Sequence, residues 1–334
     1  MKKMAIALGL IGAFSGAAYA QSSVTVYGVA DLGLVAESGG AGGSVAKLSS
    51  GVEAGSRLGF KGIEDLGNGL SVNFVLETGI AMDTGGSNQG NTLFGRQALV
   101  GLKGGFGSVS AGRQYTPLFL SLDSVDPFGT GLAGASTNLF AYYPTSGNAR
   151  MTNSVIYNTP GMDGFTGTLA YGFGEVAGNT SANRQIGASL TYEQGPILIT
   201  LVHHNTNDAI ASDSAKTTLL GGAYNFGPVK LHLVYDSNSG PGSTKNTDAL
   251  IGVSAPLGDG TLMASYIHKD DKSAADKDAS QIAIGYSYPL SKRTNIYTAY
   301  ARINNKNGAG YTVGNAIESG SGDKAFNLGI RHKF

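Results

Sequence analysis

Phe326-Asn327-Leu328-Gly329-Ile330-Arg331-His332-Lys333-Phe334 closes the chain. Phe326, Leu328, Ile330, His332 and Phe334 fall on one face of an extended strand, and Asn327, Gly329, Arg331 and Lys333 on the other. That period of two marks a strand with one face in an apolar medium and the other in water. The last strand of a soluble sheet shows the same alternation, so the decision rests on the rest of the chain.

The same period recurs upstream. Residues 184–193 set Ile186, Ala188, Leu190 and Tyr192 against Gln185, Gly187, Ser189 and Thr191. Residues 281–288 set Ile282, Ile284, Tyr286 and Tyr288 against Gln281, Ala283, Gly285 and Ser287. Residues 230–236 alternate Leu231, Leu233 and Tyr235 with Lys230, His232, Val234 and Asp236. Short turns punctuate these segments, as at Leu66-Gly67-Asn68-Gly69, Gly104-Gly105-Phe106-Gly107 and Leu257-Gly258-Asp259-Gly260. Longer polar stretches alternate with them, among them 37–45, 83–91, 208–214, 237–246, 270–277 and 304–322. Tight turns at one end and longer loops at the other describe a transmembrane barrel with an inner and an outer side.

The first residues support export. Lys2 and Lys3 precede an apolar run from Met4 to Gly16, and Ala18-Tyr19-Ala20 is a small-x-small cleavage site. This predicts a signal peptide over 1–20 and a single barrel domain over 21–334. No later stretch is apolar for the roughly 20 residues a spanning helix needs. A closed barrel is the other way to satisfy every backbone group in lipid. Gly at 52 of 334 residues is roughly twice the usual share, which suits turns and curved strands. The 16 Tyr and 13 Phe suit the two membrane–water interfaces. Counting segments gives sixteen strands, roughly 20 residues per strand and connection. Strands 24–35 and 93–103 alternate poorly, as walls facing a neighbouring subunit would.

Composition also excludes chemistry. There are no cysteines, so no disulfide, thiolate metal site or Cys nucleophile exists. Removing two Lys with the signal leaves 21 Lys+Arg against 23 Asp+Glu, a charge of −2, with no basic bias toward nucleic acid. The five histidines are His203, His204, His232, His268 and His332. None accompanies a Ser motif of lipase type, and adjacent His203 and His204 point to opposite faces of a strand. No enzyme, metal or cofactor is therefore expected.

One connection departs from the pattern. Residues 116–149 alternate little, and carry Pro117, Asp123, Asp126, Pro127 and Pro144 beside Leu118, Phe119, Leu120, Leu122, Phe128, Leu132 and Phe140. A long loop this apolar is packed, and folding into the barrel lumen would bury it.

These residues resemble the trimeric porins of β-proteobacteria, of the neisserial and Burkholderia/Bordetella type. Ser23-Val24-Thr25-Val26-Tyr27-Gly28-Val29-Ala30-Asp31 looks like the family's first strand. Gly55-Ser56-Arg57-Leu58-Gly59-Phe60-Lys61-Gly62-Ile63-Glu64-Asp65-Leu66-Gly67-Asn68-Gly69 is similar to its second strand and first turn. Residues 93–102 and 107–114 continue the resemblance, which covers essentially the whole chain.

The resemblance implies an all-β fold, a 16-stranded antiparallel transmembrane β-barrel with an inward-folded third external loop, here 116–149. It implies a homotrimeric general diffusion channel of the Gram-negative outer membrane, passing small hydrophilic solutes and anions. Its surroundings would be outer-membrane lipid and lipopolysaccharide, and its final Phe334 would be the signal read by the barrel-assembly machinery. Arg57, Arg96 and Arg150 map onto a wall of arginines facing loop acids, for which Asp123 and Asp126 are the positions nearest the pattern. Alternation places Arg57, Lys61 and Arg150 toward the lumen and does not settle Arg96. Three arginines and Lys61 against two acids favour anions mildly. A substrate-specific channel and an adhesion barrel are the alternatives; the Gly, Ser, Thr, Gln and Asn of the lumenal faces favour a general pore.

Overall fold

The structure, a computed structural model, describes residues 23–40, 42–140, 149–314 and 322–334. The expected signal segment 1–20 and the stretch 141–148 of the expected inner loop lie outside the described residues.

Seventeen strand segments among these residues form one sheet. They are β1 (Ser23–Gly40), β2 (Gly43–Ser50), β3 (Arg57–Gly67), β4 (Leu70–Gly79), β5 (Gln97–Gly104), β6 (Gly107–Tyr115), β7 (Arg150–Asn158), β8 (Phe165–Gly172) and β9 (Gln185–Gln194). Then follow β10 (Ile197–Asn207), β11 (Ser214–Asn225), β12 (Lys230–Gly240), β13 (Thr244–Leu257), β14 (Gly260–Asp271), β15 (Ala279–Pro289), β16 (Thr294–Asn305) and β17 (Lys324–Lys333). Consecutive strands pair antiparallel except β2 and β3, which both pair with β1, and β1 closes the ring against β17, from Val29 opposite Lys333 to Ser38 opposite Lys324.

The barrel has sixteen staves because β2 and β3 share one. β2 pairs with β1 from Leu32 onward and β3 pairs with Ser23 to Val29. The break at 51–56 is held by Asp31, whose carboxylate accepts from the Glu53 and Ala54 amides at 3.0 and 2.6 Å. Ser56 Oγ accepts from the Asp31 amide and donates to the Asp31 carbonyl. Closure leaves no sheet edge, which in hydrocarbon would cost several kcal/mol per unpaired backbone group.

Polarity is inverted relative to a soluble protein. Leu201, Leu220, Tyr235, Ile251, Ile282 and Leu328 are each about half exposed, while Asp31, Glu77, Asp236, Asp248 and Lys269 are buried. A continuous apolar exterior is far beyond what a monomer shows to water, so this face meets lipid. The terminal segment fits, with Phe326, Leu328, Ile330 and Phe334 exposed and Asn327 buried. Its last residue also joins the closure: the Phe334 amide donates to the Gly28 carbonyl at 3.1 Å and the Gly28 amide to the Phe334 carbonyl at 3.0 Å.

The tight turn at 67–69 is legible in its dihedrals. Gly67, Asn68 and Gly69 all take positive φ, which glycine and asparagine tolerate and β-branched residues do not. Two stretches expected as loops are strand. Glu37 pairs with Val45, and Ser237 with Thr247. Both faces are wet above the membrane, so hydropathy stops alternating while the ladder continues. Conversely, the strand expected over 93–103 begins at Gln97. Residues 92–95 make a turn instead, the Gly95 amide donating to the Thr92 carbonyl.

The long connection holds a helix, α1 (Pro117–Val125). Thr116 caps it, its hydroxyl accepting from the Phe119 amide at 3.1 Å, and Pro117 stands at the first turn. Both are ordinary helix-start signals. Leu118, Leu122 and Val125, spaced four and three apart, are buried. This face lies on β9–β12. Gly187, Gly221, Gly252 and Gly285 make room: a Cβ on Gly221 would stand 2.7 Å from Val125, on Gly252 2.7 Å from Pro127, and on Gly285 2.8 Å from Phe128. Thr200 Oγ1 donates to Ser121 Oγ at 3.0 Å, and His232 Nδ1 lies 3.0 Å from the Val125 carbonyl. Gln281 Nε2 donates to the Gly134 carbonyl.

Candidate functional site

The turn at 67–69 fixes the register of β3 on β4, opposing Arg57 to Gly79, Gly59 to Glu77 and Lys61 to Val75. β1 lies on the other side, with Tyr27 opposite Gly59 and Thr25 opposite Lys61. Lacking a side chain, Gly59 lets the Tyr27 ring lie across it, where a Cβ would stand 2.4 Å from the ring. The Tyr27 hydroxyl then donates to Glu77 Oε2 at 2.9 Å. Lys61 Nζ sits 5.1 Å from the centre of the same ring.

Glu77 accepts from Arg96 as well, Nε to Oε1 at 2.8 Å, and both side chains are almost fully buried. Arg96 Nη2 reaches the Tyr115 hydroxyl at 2.5 Å, and Arg150 Nη2 donates to that hydroxyl at 2.9 Å. The Arg150 guanidinium lies 4.5 Å from the Tyr115 ring centre. Tyr115 stacks in turn on Phe119 of α1, 5.0 Å between centres and 14° between planes. A continuous row therefore runs from Lys61 through Tyr27, Glu77, Arg96, Tyr115 and Arg150 to the helix. Cation–π contact and charge-assisted bonds hold like-charged guanidiniums side by side.

These groups border a cavity of about 670 Å³ between the barrel wall and the 119–138 segment. Arg57, Arg96 and Arg150 line it, with Asp123 from the segment. Glu53 and Arg331 also line it, joined by an ion pair at 3.2 Å. Burial pushes the Asp123 carboxyl above the usual range, while the Thr130 hydroxyl, donating at 2.7 Å, and the Arg57 charge oppose that.

Of the six positions read from the sequence, the structure gathers Arg57, Arg96, Arg150 and Asp123 around one space. Lys61 and Asp126 do not line it. Lys61 is four residues along β3 from Arg57, about 13 Å toward the short turns. Asp126 is fully buried, and burial raises its carboxyl pKa. Its oxygens accept from the amides of Phe128, Thr130 and Ser136 at 2.9, 3.1 and 2.9 Å, which shapes the segment. Sequence reading missed Glu77, Tyr115, Glu53 and Arg331. Glu77 had a signal: counting back from the turn places it opposite Gly59, on the face already assigned to Arg57 and Lys61.

A closed antiparallel barrel with an apolar exterior, a polar interior and a charged cavity against its wall belongs to the class of membrane channels. Residues 5–308 match the Gram-negative porin family, and the chain belongs to that family. It is 35% identical to outer membrane porin protein 32 of Delftia acidovorans and 31% identical to an outer membrane porin protein of Bordetella pertussis, each over the full length of both chains. The anion-selective porin from Comamonas acidovorans superposes with a TM-score of 0.82 at 33% identity, over 94% of this chain and all of that one. The protein is thus a general diffusion porin of the Gram-negative outer membrane, a channel and not an enzyme.

Proposed function

We propose that the channel is a homotrimer with an anion-preferring constriction in each barrel. The observation that carries this is the shared cavity, in which three wall arginines face Asp123 on a segment seated against the opposite strands. The described residues 116–140 of the expected inner loop act as the constricting segment, folded into the lumen. Arg57, Arg96 and Arg150 attract anions, Lys61 extends the positive wall toward the periplasm, and Asp126 organises the loop. Fields across a narrow, low-dielectric opening act more strongly than in bulk water, and basic rings favour anions. The likeness to an anion-selective porin supports the sign. Phe334, exposed at the barrel seam, serves as the signal for the barrel-assembly machinery. The signal peptide over 1–20 directs export.

The test is insertion into a planar bilayer with a KCl gradient. Conductance steps in groups of three and a reversal potential on the chloride side are expected. Arg57→Ser should move that potential toward zero. A cation-favouring potential in the native protein would overturn the charge assignment, and single steps would overturn the trimer.

A further inference from the structure

A second space borders α1, and the arginine constriction does not use it. Tyr115 and Leu120 line both spaces, whereas Asp123 lines only the first and Ser121 and Ser124 only the second. The helix therefore stands between them. The second cavity holds about 490 Å³, within the range of small-molecule sites, about 300–1,000 Å³.

Register builds its wall. Asn158 on β7 is opposite Thr168 on β8, and Thr168 is opposite Ser189 on β9. All three line the cavity. Groups that both donate and accept thus stand in a row at strand spacings of about 5 Å. Thr191, two residues along β9 from Ser189, continues the lining. Its hydroxyl lies 3.0 Å from Thr200 Oγ1, which donates to Ser121 Oγ at 3.0 Å and so ties the wall to the helix. Pro117 and Leu120 add an apolar ridge.

Glu193 and Lys230 line the short-turn end, β9 finishing one residue after Glu193 and β12 starting at Lys230. Together with Gln97 and Ser189, which also line the cavity, their side chains make no hydrogen bond or ion pair among the described residues. Four polar groups are therefore open to a solute. The two charges are opposite in sign, so the lining favours neither anion nor cation. An apolar solute would leave the row unpaired, which is costly. A solute rich in hydroxyls matches it: they donate and accept in turn, a carboxylate accepts from two neighbouring ones, and the apolar ridge suits the C–H face of a ring.

We propose that this cavity binds a small neutral saccharide, with hydroxyls on Thr168, Ser189 and Gln97, a neighbouring pair on Glu193, and the ring's C–H face against Leu120. Phe119 and Arg150 both lie over the Tyr115 ring, 5.0 and 4.5 Å from its centre, and leave it no free face for stacking. Affinity therefore stays at about 1–10 mM, and the solute leaves readily. The proposal rests on the inward-folded segment of the constriction reading and not on the sign of its ion preference.

Ion current through the native protein in a planar bilayer, with maltose added to both sides, tests it. Tetraethylene glycol, a flexible ether with hydroxyls only at its ends, is the control. Maltose should lower the current along a saturating curve, half-blocked at about 1–10 mM, and the glycol in simple proportion to its concentration. Ser189→Ala should raise the half-blocking concentration about fivefold and Glu193→Gln about tenfold. Neither side chain holds a contact among the described residues, so the barrel keeps its bonding in both variants. A maltose response in simple proportion, like that of the glycol, would overturn the site, and so would native half-block in both variants. The reversal potential in a KCl gradient, read before sugar is added, judges the anion preference separately. Cation preference with saturable, variant-sensitive block would strike that preference and uphold the saccharide site.

Discussion

Asp123 lines the cavity beside the wall arginines; in the proposed constriction it is the acid that faces passing ions, and it sits where its charge is costly. Burial raises its carboxyl above the ordinary aspartate value, with the Thr130 hydroxyl and Arg57 pulling the other way. A raised carboxyl takes up its proton earlier as pH falls. Lowering pH from neutral should therefore neutralise Asp123 earlier than an ordinary aspartate and increase chloride preference. A unit charge acting at about 5 Å through a water-like medium shifts an ion's energy by about 0.8 kcal/mol, with opposite signs for chloride and potassium, so full neutralisation should raise the chloride-to-potassium permeability ratio by up to about 15-fold. Asp123→Asn should hold the high ratio at neutral pH and lose this part of the pH response, leaving only what Glu53 contributes in the same cavity. A pH response of native size in Asp123→Asn would sink the assignment. Glu77 is a different kind of acid. It touches no open space, but it joins Tyr27 and Arg96. Glu77→Gln leaves the Arg96 charge buried without its partner, a change that costs about 3 kcal/mol in such pairs. A lower urea midpoint is expected, together with altered selectivity as Arg96 swings free. An unchanged midpoint would show that water in the lumen already satisfies Arg96.

At the scale of elements, the proposed constriction depends on the seat of α1. The segment crosses the wall over Gly187, Gly221, Gly252 and Gly285, on alternate strands β9, β11, β13 and β15. Gly221→Val would drive a methyl group into Val125, and overpacking of this kind costs about 1–3 kcal/mol. The expected outcome is a lowered thermal midpoint and noisier open-channel current as the segment leaves its seat; quiet, native-like current would mean that the segment is held elsewhere. These glycines also show what was readable in advance. The count of 52 glycines pointed to turns and curved strands, but their role beneath a packed helix depends on partners over 60 residues away in sequence. Strands were legible wherever lipid covers one face, as at Gln281, Ile282 and Ile284. They were not legible at Glu37 or Ser237, where water covers both faces and only the ladder persists. The helix carried its own signals in Thr116 and Pro117, but the surrounding prolines and glycines read as irregular loop. At the site, parity was sufficient for Arg57 and Arg150. Arg96 lies before its strand begins, so alternation had nothing to say about it, and its role emerged only from Glu77 and Tyr115.

For the whole molecule, the question is how far the arginine wall reaches. The chain has no net formal charge, so selectivity has to come from the local arrangement and not from overall charge. A cavity of 670 Å³ is roughly 9 Å across by its cube root, against a screening length of about 10 Å in 0.1 M salt and about 3 Å in 1 M. In the proposed constriction, the field of Arg57, Arg96 and Arg150 should span the opening in dilute salt and act on every ion that crosses. In concentrated salt the field dies within the first third of the gap, and ions pass along the middle as in bulk solution. The chloride-to-potassium permeability ratio should therefore fall steeply between 0.1 M and 1 M KCl at a fixed gradient, approaching the ratio of free mobilities. Arg57→Ser should flatten that dependence, because it takes away a cation that, among the described residues, is bonded to no carboxylate, unlike Arg96, which is tied to Glu77. Reversal potentials across a series of salt concentrations measure both slopes. A ratio independent of salt in the native channel would mean that ions touch the guanidiniums directly instead of sensing them across water, and the constriction would then be a binding site more than a field.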